Sequence, residues 1–96
     1  MTWIRIVPPP AAEGELKKIY ETLYGMYPVE YHTDNETLRR PDGSLDSIVA
    51  AHSLLPTAML HTFSTHAALI GPDMPLMRRQ QEMISTVVSA LNRCFY

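Results

Sequence analysis

The stretch PTAMLHTFSTHAALIGPDMPLMRRQQEMISTVVSAL, residues 56–91, decides the fold class. Within it Met59, Leu60, Phe63, Ala67 and Ile70 recur at steps of three and four, which puts them on one stripe of a helix over about 56–70. Pro56 suits the first helical position, where its missing N–H would have no partner in any case. Gly71-Pro72-Asp73 closes that helix. A last helix is expected over about 75–92, opened by Pro75. Its buried side would carry Met77, Ile84, Val87, Val88 and Leu91, with Arg78-Arg79-Gln80-Gln81 facing solvent. No segment after residue 10 alternates apolar and polar residues as a strand would, so the fold class read from the chain is all-α.

Upstream, Leu16, Ile19, Tyr20 and Leu23 repeat in the same way and predict a helix over about 11–25. Glu13, Glu15, Lys17, Lys18 and Glu21 take its other face, with Glu13 and Lys17 in the favourable i, i+4 order. Gly25, with Pro28 behind it, is the expected stop. Residues 26–44 read as a long, polar, turn-rich loop of the kind that serves an interface or a site. Asp46 is then placed as the cap of a short helix over about 46–55, with Ile48, Val49, His52 and Leu55 on one side. Residues 1–10 form an extended arm. Trp3, Ile4, Ile6 and Val7 gain nothing in water, Pro8-Pro9-Pro10 imposes polyproline II, and such an arm lies across a neighbouring surface.

Ninety-six residues with 46% hydrophobic and 19% charged side chains make a single globular domain over residues 1–96, or part of one. A formal net charge of -2 excludes a strongly basic nucleic-acid footprint. No apolar run approaches the length of a membrane span and no leader pattern opens the chain, so a cytoplasmic protein is expected. The one cysteine excludes an intramolecular disulfide and any CxxC metal knuckle.

Two residues stand out chemically. Glu82 falls near the buried side of the last helix, close to Met83 and Thr86, where an acid is either solvated at the edge or held for proton work. Cys94 follows that helix directly. Arg93 beside it would favour the thiolate, whereas from spacing alone a lone cysteine after an apolar helix reads more readily as a small buried hydrophobe. His61 and His66 lie five apart, off the spacing that brings two ligands to one helix face, so no metal site is expected. His66 is instead placed at a pocket or a subunit contact. The methionines around the last two helices read as packing. Tyr20, Tyr24, Tyr27 and Tyr31 would line one face if the first helix ran on through Gly25 and Pro28.

The run from Arg79 to Tyr96, RQQEMISTVVSALNRCFY, resembles the core motif of the AhpD-like superfamily, which includes alkylhydroperoxidases and carboxymuconolactone decarboxylases. Its peroxidase-like members carry a Glu, eleven residues, a Cys, two residues, a second Cys, three residues and a His. Glu82 and Cys94 match the first two positions at that spacing. Ala51-His52-Ser53-Leu54-Leu55-Pro56 and the Leu-Ile-Gly-Pro ending at Pro72 resemble the peroxidase-related branch, and the resemblance covers residues 45–96.

The resemblance implies a helical bundle, incomplete at its C-terminus, that assembles into homo-oligomers covering Trp3, Tyr96 and the helix stripes. It also implies a thiol-dependent peroxide-reducing oxidoreductase that needs no cofactor, with a peroxide substrate and a thiol reductant as partners. In such a protein the second cysteine attacks the peroxide, the first, matching Cys94, resolves it, and the acid matching Glu82 joins a proton relay with the His. That second Cys and the His would fall past Tyr96. A truncated form of a longer protein is the favoured explanation, and a short paralogue that lost the chemistry is the other. The alternative function is a non-catalytic helical oligomerisation module. The lactone decarboxylase branch fits less well, because its chemistry does not use the thiol.

Overall fold

The computed structural model describes residues 4–32, 36, 39, 41 and 47–94. Among these residues the chain is helical, with α1 (Gly14–Met26), α2 (Ile48–Ala51), α3 (Pro56–Leu69) and α4 (Arg78–Leu91). Short 3-10 turns stand at Pro9–Ala11 and Val29–His32, and no strand occurs among the described residues. None of the helices is long and apolar enough to cross a membrane.

α1 buries Ile19, Tyr20 and Leu23, as its periodicity requires. Its end differs from expectation, because the helix runs through Gly25 to Met26. Pro28 sets the stop instead, since a residue before proline is pushed out of the helical region, and Tyr27 is extended at φ -78° and ψ 145°. The tyrosine series therefore splits into two pairs. Tyr20 and Tyr24 stack at 5.8 Å on α1, while Tyr27 and Tyr31 meet edge to face at 6.0 Å beyond it.

The N-terminal arm is held by a small polar ring. The Val7 N–H donates to Ser53 Oγ at 2.8 Å, and the Tyr20 hydroxyl donates to the Val7 carbonyl, also at 2.8 Å. Both backbone groups of Val7 are thus paired by buried side chains from elsewhere in the chain. Ile4 remains exposed, and Trp3 lies outside the described residues.

Ser47 caps α2, its Oγ accepting from the Val49 and Ala50 N–H groups. Asp46, expected in that role, lies outside the described residues, as does much of the expected 26–44 loop. α2 is only four residues long and buries Val49 and Ala50, leaving Ile48 and Leu55 in solvent where a common apolar side was expected. The chain turns at His52–Leu55 before Pro56 opens α3, so these residues do not share one helical face. α3 does bury Met59, Phe63 and Ala67, and it pairs with α1. The core consists of Ala12, Ile19, Tyr20, Leu23, Val49, Met59 and Phe63, with Val7, Leu16 and Leu60 against it. No residue of α4 belongs to it.

α4 overturns two expectations. Ile84, Val87, Val88 and Leu91, read as a buried stripe, are between 51% and 79% exposed, and Met77 just before the helix is 66% exposed. Gln81, read as solvent-facing, is the one buried residue of α4. Its Nε2 donates to the carbonyls of Leu69 and Leu76, each at 3.2 Å, so it ties the end of α3 and the following connection to α4. Periodicity says which residues share a face; here the face against the protein is polar and the apolar one is not covered. The helix also starts at Arg78 rather than Pro75, and Gln80 Oε1 accepts from the N–H of the capping residue Met77 at 2.9 Å.

Candidate functional site

Glu82 stands one turn into α4, and its carboxylate is held from two sides. Arg78 Nε, one turn earlier, lies 2.8 Å from Glu82 Oε1. The Tyr31 hydroxyl donates to the same oxygen at 3.1 Å from the turn after α1. The Arg78 guanidinium also sits over the Tyr31 ring, 4.7 Å from its centroid, a cation–π contact that locks all three side chains together. Behind Tyr31, the edge contact with Tyr27 leads to His66 on α3, whose Nδ1 is hydrogen-bonded to the Tyr27 hydroxyl at 3.2 Å. A continuous row, His66–Tyr27–Tyr31–Glu82–Arg78, therefore joins α3, the Val29–His32 turn and α4.

Both phenols in this row are held protonated. Burial raises the pKa of Tyr31 above the ordinary phenol value, the hydrogen bond to Glu82 and its charge add to the rise, and Arg78 partly opposes it. Burial, then the neighbouring Tyr24 and Tyr31, raise Tyr27 likewise. At neutral pH Tyr31 is thus a hydrogen-bond donor and Glu82 its acceptor. The Arg78–Glu82 pair is substantially solvated, so its worth is that of a surface pair, about 0.3–0.5 kcal/mol.

Beside the row lies an open, largely apolar cleft of about 520 Å³. Met26, Tyr27 and Pro28 form one wall, the α3–α4 connection from Ile70 to Met77 forms the other, and Arg78 and Gln81 stand at its edge. Tyr27 and Arg78 belong to both row and cleft, whereas His66 and Glu82 do not line the cleft. His66, expected at a pocket or subunit contact, is exposed beside it and engaged with Tyr27.

Cys94 occupies the opposite end of α4. Arg93 takes a left-handed conformation at φ 51°. The Arg93 N–H donates to the Ala90 carbonyl at 3.1 Å and the Cys94 N–H to the Ser89 carbonyl at 2.9 Å. These two bonds are the Schellman arrangement, which satisfies the last carbonyls of the helix and turns the chain out of it. Cys94 is therefore presented in solvent, and its reading as a buried apolar residue is overturned. Tyr96, expected to be covered at a contact of the homo-oligomer, lies outside the described residues.

The structure does not bring Glu82 and Cys94 together. Twelve residues of largely helical chain separate them by on the order of 15–18 Å. What it does bring together, Tyr31 with Glu82 and Tyr27 with His66, was only partly visible in the sequence. The steps of four, three and four between tyrosines signalled a shared face, and the partners 51 and 39 residues away carried no local signal. No group of three or more His, Cys, Asp or Glu side chains suited to a metal ion occurs among the described residues. His52 is occupied locally, with Nδ1 2.9 Å from the Ile48 carbonyl and its ring edge-on to Phe63.

Comparison of the chain with protein families, with curated proteins and with solved structures finds no match.

Proposed function

We propose that the chain carries the scaffold, the relay acid and one redox thiol of an AhpD-like, thiol-dependent peroxide-reducing oxidoreductase, with Glu82 and Cys94 as the working residues. The observation that supports this reading is the presentation of Cys94. It is an exposed thiol directly after a Schellman turn, twelve positions beyond a carboxylate oriented by a cation and a phenol. Exposure is what a thiol needs for redox exchange, and a buried structural cysteine would be inert.

In the reaction proposed, a thiolate attacks one peroxide oxygen and the O–O bond breaks. The departing alkoxide takes up a proton and leaves as an alcohol, and the sulfur becomes a sulfenic acid. A second thiol condenses with that sulfenic acid, forming a disulfide and releasing water, and an external thiol reductant restores the pair. Cys94 takes the resolving position of the motif. Glu82 stands too far from it to exchange a proton directly, so its part in the relay passes through an intermediate group, which in the resembling family is a histidine. A homo-oligomer and a cytoplasmic setting belong to the same proposal.

The exposed apolar face of α4 favours a second reading, a helical association module without catalysis. The two separate experimentally at Cys94. The protein is treated with oxidised glutathione, and the rate of mixed-disulfide formation at Cys94, the attack on an oxidised sulfur that a resolving thiol performs, is followed by intact mass. Formation about tenfold or more faster than for N-acetylcysteine is expected for a redox thiol. A rate equal to that of the free thiol removes the peroxidase reading and leaves the module.

A further inference from the structure

We propose that the exposed face of α4 is the contact between two copies of this chain, paired symmetrically through α4 and antiparallel. The first observation is that α4 exists at all. It has 14 residues, a length at which an isolated helix is marginal in water. Ile84, Thr86, Val87 and Val88 are β-branched, and Ser85 and Ser89 compete for backbone hydrogen bonds, so intrinsic propensity is poor over residues 84–89. Among the described residues, the polar contacts that tie it to the rest of the chain come from its first turns, through Gln81, Arg78 and Glu82. Burial of the apolar stripe must supply the remainder.

The stripe is built for another helix of the same kind. Met77, Ile84 and Leu91 are spaced by seven residues, with Gln80 and Val87 three residues after the first two, which is the seam of a coiled coil. No charged residue occurs from Met83 to Asn92, so the apolar part of the seam sets no like charges against each other. Six exposed apolar side chains (Met77, Met83, Ile84, Val87, Val88 and Leu91), on the order of 100 Å² each, offer about 600 Å² per copy and about 1,200 Å² for a pair. That reaches the lower bound of a specific interface, which a symmetric pair attains without recruiting any other surface.

The helix ends select the direction. α4 has no acidic residue in its first turn and no basic residue in its last, and Arg78 and Arg79 open it against its own dipole. Parallel pairing would set these arginines against their own copies, whereas antiparallel pairing sets them beside the negative end of the neighbouring α4, where Arg93 offsets part of the gain.

Sedimentation equilibrium of the 96-residue chain tests the pairing, with hydrogen exchange read on α4. The expected result is a dimer, twice 10.9 kDa, with the α4 amides protected. Val87→Glu places a charge in the seam and weakens dimerisation by about a hundredfold or more. Thr86→Glu, which adds the same charge on the far side of α4, leaves it within about threefold and serves as the folding control. A chain that stays monomeric at several hundred micromolar overturns the proposal, and α4 amides protected in that monomer would assign the stripe to another segment of the same chain. Equal dimerisation by the two variants overturns it as well. A nitroxide on Cys94, the sole cysteine, reads the direction. Antiparallel helices hold the two labels about 25–30 Å apart, and a separation under about 15 Å overturns that arrangement.

Discussion

Removal of the Ser53 hydroxyl tests whether the arm is part of the folded unit. In Ser53→Ala the Val7 N–H loses its acceptor in a site where Ser53 itself is 2% exposed. An orphaned buried donor costs about 1–3 kcal/mol. Tyr20→Phe removes the donor to the Val7 carbonyl, again from a residue only 2% exposed, and costs about 1 kcal/mol. The two losses are not independent, because both bonds hold the same residue, Val7, by its two backbone groups. Once either is gone the arm can lift and let water reach what the other had paired. The double variant should therefore be less destabilised than the sum of the singles, with a coupling of about 0.5–1.5 kcal/mol. Urea denaturation of the four proteins, with a common slope as the check on two-state behaviour, measures this. Val7 amide exchange should accelerate in each single variant. Strict additivity, or single variants within about 0.3 kcal/mol of the parent, would refute the ring as a cooperative anchor.

Four further outcomes follow from the same geometry. Gly25→Ala should stabilise the protein by about 0.5–1 kcal/mol, since Gly25 sits inside α1 with open space where a Cβ would stand. Gly14→Ala should destabilise it by about 1 kcal/mol, because Gly14 has φ +55°, and thermal melts of the pair would show opposite signs. Arg93→Gly should relieve a left-handed non-glycine residue at the end of α4 and raise helicity by circular dichroism, less any loss of the favourable charge at the helix terminus. Burial, with Tyr24 adding, pushes the Tyr20 phenol up to about 12 from 10.0. The folded state then holds its proton more tightly than the unfolded chain, so stability is intact below pH 10 and falls as pH rises from 10 towards 12. In Tyr20→Phe that part of the alkaline loss should vanish; an unchanged profile would assign it to other groups.

What the sequence by itself determined is the helical class, the apolar faces of α1 and α3, and the proline that opens α3. All three rest on local rules: a 3.6-residue repeat puts Ile19, Tyr20 and Leu23, or Met59, Phe63 and Ala67, on one side, and proline tolerates a first helical turn. The local rules failed where a longer-range choice intervened. Gly25 was a plausible stop, but glycine only permits termination, whereas Pro28 enforces it on Tyr27. Cys94 follows an apolar stripe, yet the stripe is uncovered and the turn at Arg93 carries the thiol outward. Only the tertiary structure decided that Gln81, not the apolar stripe, faces the protein, and that Tyr31 meets Glu82 while Val7 closes on Ser53. Those contacts span 51 and 46 residues. They depend on how α1 and α3 pack and where the connection to α4 leads the chain, and a repeat of three and four encodes a face but not the surface that will meet it.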